Sequence, residues 1–152
     1  MAIELAGARK IAAPQRELWR LLNDPEVLMQ CIPGCNAVRV IGEDRYEMGL
    51  KLQVGSVSGS YLGTVALRDK REPGYFVLDV EGQGSIGFMK GSASFELQPA
   101  EADATTTLKY AGSGEVGGVV AGVGQRVLSG VAKFLVGRFF KALDEQVAAL
   151  HG

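Results

Sequence analysis

The sequence predicts an α+β fold: a strongly curved antiparallel sheet of seven strands around one long C-terminal helix, with two short helices after the first strand. Three observations lead to this prediction. Apolar and polar residues alternate between residues 35 and 112, as in half-buried strands. From about Val119 to Leu150 the apolar residues recur every three or four positions, as in a helix. Glycine contributes 21 of the 152 residues, about twice its usual share, which indicates bends and bulges in a curved sheet.

The length indicates one domain, residues 1–152, with its own core. Sixteen basic and 17 acidic residues leave a net charge of −1, so no field attracts nucleic acid. The segment Met1 to Ile11 carries Glu4, Arg9 and Lys10 and lacks the apolar core of a signal peptide. We therefore expect a cytoplasmic protein without a spanning helix.

The first elements follow from alternation and from helix-capping residues. Ile3 to Ile11 alternates weakly and predicts a strand. Pro14 opens a short helix, which ends at Asn23. Asp24 can cap a second helix with Pro25 at its first position, and Pro33-Gly34 ends that helix.

Six strands follow, and their alternation assigns the apolar parity to the inner face of the sheet. The predicted inner positions include Phe95 and Leu97, with Lys90 and Glu96 outside. Short connections favour an antiparallel meander. The strand segments between residues 45 and 110 are Arg45 to Val54, Ser56 to Arg68, Tyr75 to Glu81, Met89 to Leu97 and Ala104 to Tyr110.

The terminal helix carries two adjacent apolar stripes, and if continuous it would be about 50 Å long. Four glycines weaken its first half by roughly 1 kcal/mol each relative to alanine. One helix does not easily fill a large concave face, and inward Gly59, Gly63 and Gly91 leave further space. The sequence therefore predicts a cavity lined by Leu50, Leu52, Tyr61, Leu78, Met89, Ala93, Phe95, Leu108, Tyr110, Val131, Phe134 and Leu135.

Two of these residues, Tyr61 and Tyr110, can donate a hydrogen bond to a ligand carbonyl, because a buried phenol seeks a polar partner. The alternative is a hydroxyl that reaches the cavity mouth or another group of the chain. Both interpretations stay open at this point.

No set of catalytic or metal-binding residues emerges from the sequence. The only histidine is His151, so we interpret Cys31 and Cys35 as ordinary thiols beside a tight turn. Asp79 and Glu81 share one strand face, but this is the outward face, so we expect both carboxylates to lie in water. The stretches Gly82 to Gly87 and Gly112 to Gly117 match a dinucleotide fingerprint by letter, but neither lies in a βαβ unit, so we interpret both as loops at the rim of the sheet. The basic residues of the long helix predict a solvated face: Arg126, Lys133, Arg138 and Lys141.

Several short motifs resemble the CoxG family, which accompanies carbon monoxide dehydrogenase, and the order of elements resembles the helix-grip fold of the START-like (SRPBCC) superfamily. The motifs are Asp24-Pro25-Glu26, Cys31-Ile32-Pro33-Gly34-Cys35, Val54-Gly55 with Gly63, Gly82-Gln83-Gly84, and Val116-Gly117-Gly118 ahead of Phe139-Phe140.

This resemblance implies a non-enzymatic carrier for a quinone-like or lipid-like hydrophobic ligand, without a covalently bound cofactor. It also implies a partner oxidoreductase, a carbon monoxide dehydrogenase-type molybdenum hydroxylase, and a peripheral contact at the inner face of the membrane. Two alternatives remain: an adaptor that recruits or matures that oxidoreductase, and a cyclase-like or hydratase-like enzyme on the same fold.

Overall fold

The computed structural model describes residues 1–100 and 104–151. Its elements are β1 (Ala2–Ile11), α1 (Gln15–Leu22), α2 (Pro25–Cys31), β2 (Cys35–Gly42), β3 (Arg45–Leu52), β4 (Gly59–Arg71), β5 (Tyr75–Gly84), β6 (Gly87–Pro99), β7 (Thr106–Gly117) and α3 (Gln125–His151). Single 3₁₀ turns cover Gly55–Val57 and Val119–Val123. The predicted connection from Pro99 to Asp103 lies partly outside the described residues.

The strands form one antiparallel sheet in the order β1-β7-β6-β5-β4-β3-β2, which confirms the predicted fold class. Phe95 and Leu97 are 9% and 2% exposed, whereas Lys90 and Glu96 face solvent. The predicted parity of β6 is therefore confirmed. Because neighbouring strands pair without a register shift across β5, β6, β7 and β1, the same parity holds for the whole inner face of these four strands.

The two short helices begin and end where the sequence predicts. The carboxylate of Asp24 accepts a hydrogen bond from the backbone N–H of Glu26 (2.9 Å), and Pro25 begins α2. After α2 the chain turns at Gly34, whose φ is +76°. A side chain there would collide with the carbonyl oxygen of Lys51, so this turn requires glycine.

The long helix begins at Gln125, so the prediction of a helix from Val119 is wrong by about one and a half turns. Gly118 and Gly124 have φ values of +84° and +96°, which a right-handed helix does not contain. The segment between them forms only a 3₁₀ turn. The remaining α3 is about 40 Å long rather than 50 Å.

The interpretation of the two glycine-rich stretches as loops is also wrong. Gly82 to Gly84 end β5, and Gly87 begins β6 after a two-residue turn. Gly112 to Gly117 belong to β7, which pairs with β1 on one side and β6 on the other. Backbone hydrogen bonds on both sides offset the weak strand preference of glycine.

The inner face of the sheet and α3 bury two separate groups of apolar residues. The large core cluster packs α1, α2 and the second half of α3 against the sheet, and includes Trp19, Phe76, Phe140 and Leu143. The small core cluster lies beside the 3₁₀ turns and the first half of α3, and includes Ile3, Val57, Val120 and Leu128. Within residues 1–100 and 104–151, no helix is long and apolar enough to cross a bilayer.

Candidate functional site

Helix α3 is joined to β1 near both ends of that strand. Near one end, the side-chain amide of Gln125 donates a hydrogen bond to the carbonyl oxygen of Ala2 (3.1 Å). Near the other, Nη2 of Arg9 lies 3.5 Å from Oδ2 of Asp144. Between these contacts Leu5 is half-buried and Gly7 is exposed, although both have the inward parity of β1. A gap therefore separates the middle of β1 from the helix.

The inner face has further incompletely covered positions besides those of β1. Several apolar residues are only half-buried and belong to neither cluster. They lie at inward positions of the sheet or on α3. Water thus reaches apolar surface in the middle of the concave face. We call this space the central cleft, and define it by Leu5, Leu50, Leu52, Tyr61 and Leu135.

Glycines form much of the sheet surface beneath the central cleft. Gly63 pairs with Gly82, and Gly91 pairs with Gly114, so two cross-strand pairs of inward positions lack side chains. A Cβ atom added at Gly82 would have one heavy atom within 4 Å, Cγ of Met89 at 3.7 Å. Close-packed interiors leave no such room, so the space above Gly82 is open. At Gly91, in contrast, an added Cβ would lie 2.8 Å from the carbonyl oxygen of Ser113.

The predicted lining residues divide into four groups in the structure. Four of them lie in the central cleft: Leu50, Leu52, Tyr61 and Leu135. Four are half-buried and pack against one of the clusters: Leu78, Ala93, Tyr110 and Val131. Phe95 and Leu108 lie inside the large core cluster, and Met89 and Phe134 are 43% and 51% exposed. Contact of these residues with a ligand stays a prediction.

The two candidate tyrosines differ in their hydrogen bonds. The hydroxyl of Tyr61 donates to the carbonyl oxygen of Val57 (2.8 Å), and burial raises the pKa of Tyr61. The hydroxyl of Tyr110 makes no hydrogen bond to the part of the chain that the structure describes. For Tyr61 the structure thus agrees with the interpretation that a group of the chain binds the hydroxyl.

Arg9 is a charged residue at an inward position that the sequence analysis missed. Its parity is that of Ile3, Leu5 and Ile11, and it pairs with inward Leu108. The guanidinium Cζ lies 5.1 Å from the ring centroid of Phe140. The parity pattern of the first strand already contained this signal, since it places a charged residue among inward positions.

The ionisable groups outside the cleft have structural partners. Asp79 accepts hydrogen bonds from Nε of Arg68 (2.6 Å) and Oγ of Ser92 (2.5 Å) on the outer face, and these bonds lower its pKa. Burial, followed by the charge of Glu145, raises the pKa of Cys31 to about 11, which makes this thiol unreactive. No group of acidic residues, histidine and cysteine among the described residues could hold a metal ion.

The convex face of the sheet carries a separate open hollow of about 640 Å³. Its floor consists of small side chains from β1, β7 and β6, among them Ala6, Ala111 and Ser94. Because this hollow is shallow and open to solvent, it would leave most of a ligand's surface in water, unlike a typical binding cleft. The central cleft is therefore the better candidate site.

Comparison with known proteins agrees with this architecture. A conserved protein from Geobacillus kaustophilus is 37% identical, with a TM-score of 0.93 over 97% of this chain and 96% of that one. A START superfamily protein from Mycobacterium smegmatis is 17% identical, with a TM-score of 0.76 over 97% and 98% of the two chains. A norcoclaurine synthase from Thalictrum flavum is 12% identical, with a TM-score of 0.68 over 100% and 98%. The last two likenesses show the fold alone.

No protein with a curated description matches the sequence. The family model for CoxG, a subunit of carbon monoxide dehydrogenase, matches residues 7–148, which is nearly the whole chain. With its START-like fold, the chain belongs to the CoxG family.

Proposed function

We propose that this protein is a non-enzymatic carrier that binds a hydrophobic, quinone-like or lipid-like molecule in the central cleft. The observation that carries this proposal is the half-exposed apolar surface between the two core clusters. Covering apolar surface contributes about 25 cal/mol per Å². About 500 Å² would therefore supply roughly 12 kcal/mol, which leaves roughly micromolar binding after an association cost of about 4 kcal/mol.

The polar groups of the cleft favour binding over catalysis. The inward positions that are paired in the described strands carry no aspartate, glutamate or histidine, the residues that most often transfer protons. The hydroxyl of Thr106 donates to the carbonyl oxygen of Ala13 (2.7 Å), and that of Tyr61 is also bound to backbone. These hydroxyls hold the chain together, so the cleft has few groups left for a reaction.

The family membership supports the partner in this proposal: a carbon monoxide dehydrogenase-type molybdenum hydroxylase, to which the carrier delivers its ligand or from which it collects it. In the cell we place the carrier in the cytoplasm, with a peripheral contact at the inner face of the membrane. The exposed basic residues of α3 suit an anionic lipid surface, and none has an acidic partner within residues 1–100 and 104–151: Arg126, Lys133, Arg138 and Lys141.

The test compares two leucine substitutions on adjacent residues of β5. Gly82→Leu places a side chain in the central cleft, where a Cβ has room. Gln83→Leu places the same side chain on the outer face, where Gln83 is exposed. Calorimetric titration with decylubiquinone should give roughly micromolar affinity for the unchanged protein and for Gln83→Leu. We expect Gly82→Leu to bind at least about tenfold more weakly, because its side chain occupies the ligand's space.

Native mass spectrometry of the purified protein provides the second measurement, since a tightly held hydrophobe should co-purify. The carrier proposal fails if neither decylubiquinone nor a fatty acid binds more tightly than about 100 μM. Co-purification with the oxidoreductase in that case would favour the adaptor alternative.

A further inference from the structure

We infer that Arg9 and Tyr110 form a head-group site at the β1 edge of the central cleft, which binds an oxygen acceptor of the ligand. The ligand class that fits is an apolar body that carries a carbonyl or carboxylate oxygen. The head lies between β1 and α3, and the apolar part lies deeper, over the two glycine pairs of the sheet. This inference rests on the proposed carrier function and adds the orientation of the ligand.

Arg9 supplies the charge of this site. Among the paired inward positions of the described strands, Arg9 is the one charged residue. Its side chain is 41% exposed, and its contact with Asp144 is long at 3.5 Å. A guanidinium has five N–H donors, so this single contact leaves most of them available. The ring of Phe140 beneath the guanidinium holds its position.

Tyr110 supplies an uncharged donor beside Arg9. Its ring centroid lies 5.1 Å from that of Phe140, so Arg9 and Tyr110 pack on the same aromatic ring. The side chain of Tyr110 crosses β1 over Gly7, where an added Cβ would lie 2.5 Å from the tyrosine hydroxyl. Glycine at position 7 thus lets the hydroxyl reach the gap between the two contacts that join β1 to α3.

The other polar side chains on the inner face are engaged elsewhere. The hydroxyls of Tyr61 and Thr106 donate to backbone carbonyls. Tyr46 packs in the large core cluster and is 6% exposed, so it lies outside the cleft. Burial, followed by the charges of Asp44 and Asp24, raises its pKa. Free donors therefore concentrate at one end of the cleft.

This asymmetry determines the direction in which a ligand binds. A carbonyl or carboxylate that leaves water without finding a new donor loses hydrogen-bond energy. An oxygen-bearing head is therefore stable at the β1 edge and unstable over the apolar middle of the sheet.

Two probes with tails of similar length test the site by calorimetry: decylubiquinone for carbonyl oxygen and undecanoate for carboxylate. We expect Tyr110→Phe to lower the affinity for decylubiquinone about fivefold to tenfold, because one hydrogen bond is lost. We expect Arg9→Met to lower the affinity for undecanoate tenfold or more, because a charge-assisted contact is lost. The matched control Tyr61→Phe should change neither affinity, since that hydroxyl binds the chain.

Arg9→Met also removes the contact with Asp144, so Asp144→Asn serves as a second control. It breaks the same ion pair but keeps the guanidinium, and the affinity for undecanoate should stay constant or rise. If Asp144→Asn and Arg9→Met lowered the affinity for undecanoate equally, the ion pair would matter for the fold and not for the ligand. That result would overturn the head-group site.

The two proposals fail in different ways. If the unchanged protein binds the probes but Tyr110→Phe and Arg9→Met bind them within about twofold of it, the head-group site is wrong and the carrier stands. If the unchanged protein binds neither probe, the carrier itself is wrong.

Discussion

The indole N–H of Trp19, in α1, donates a hydrogen bond of 2.9 Å to Oε1 of Glu72, in the turn between β4 and β5. Trp19 is 5% exposed, and its ring packs edge-on against Phe76 at 5.6 Å. The bond therefore satisfies a buried donor and joins the helical layer to the sheet.

Removing the acceptor should destabilise the fold. We expect Glu72→Ala to lower the free energy of unfolding by about 1–3 kcal/mol, because the indole N–H keeps its burial and loses its partner. The control is Glu81→Ala, which removes an exposed carboxylate 3.4 Å from Lys90 and should change stability by less than about 1 kcal/mol. Urea denaturation can follow both variants through the fluorescence of Trp19, the single tryptophan. Equal midpoints for the two variants would contradict the role assigned to Glu72.

Glycines on the outer side of α3 offer a stabilising substitution. At Gly130 and Gly137 an added Cβ meets nothing within 4 Å, and both residues lie inside the helix. We expect Gly130→Ala and Gly137→Ala each to raise the free energy of unfolding by up to about 1 kcal/mol, through helix propensity alone.

Gly124 provides the matched control for these variants. An added Cβ there is equally unobstructed, but φ is +96°. Gly124→Ala should therefore lower the melting temperature while the two helix variants raise it. A melting temperature that moves in the same direction in all three variants would disagree with the backbone conformation described for this junction.

The cysteine pair should differ in reactivity. Cys31 is 1% exposed with a pKa of about 11, so only about one molecule in a thousand carries a thiolate there at about pH 8. Cys35 is less buried and lies at the start of β2. Mass spectrometry after brief treatment with iodoacetamide should find the label on Cys35 first. Faster labelling of Cys31 would contradict its burial.

The same pKa predicts a pH dependence of stability. Because the pKa of Cys31 is higher in the folded chain than its ordinary value of 9.0, folding favours the protonated thiol. Its contribution is fully present below about pH 9 and is lost as the pH rises towards about 11. Cys31→Ala should reduce this decline in urea midpoints measured across that range.

The fold could be predicted from the sequence because strand parity is a local property. Alternation in single segments was enough to place Phe95 and Leu97 inside the sheet and Lys90 outside. The start of α3 could not be predicted in this way, because the positive φ values of Gly118 and Gly124 depend on how the chain leaves β7. The glycine-rich stretches were misinterpreted for a related reason: pairing on both sides of β7 joins segments far apart in the sequence.

The candidate site was less accessible to prediction. Whether a tyrosine hydroxyl is free depends on its neighbours in space: Tyr61 meets the carbonyl oxygen of Val57 only because a 3₁₀ turn brings that group back to β4. The division of the core into two clusters likewise depends on where α3 crosses the sheet. Arg9 is the exception, since its parity was present in the first strand.

The pairing of β1 with β7 also bears on protein synthesis. On the ribosome, residues 2–11 emerge long before residues 106–117, with which they pair, and before α3, which lies over both. Until then the growing chain has an unpaired edge strand and an inner sheet face open to water, both of which favour aggregation. The inner face of the sheet therefore stays incomplete until residues 106–117 have emerged and paired with β1.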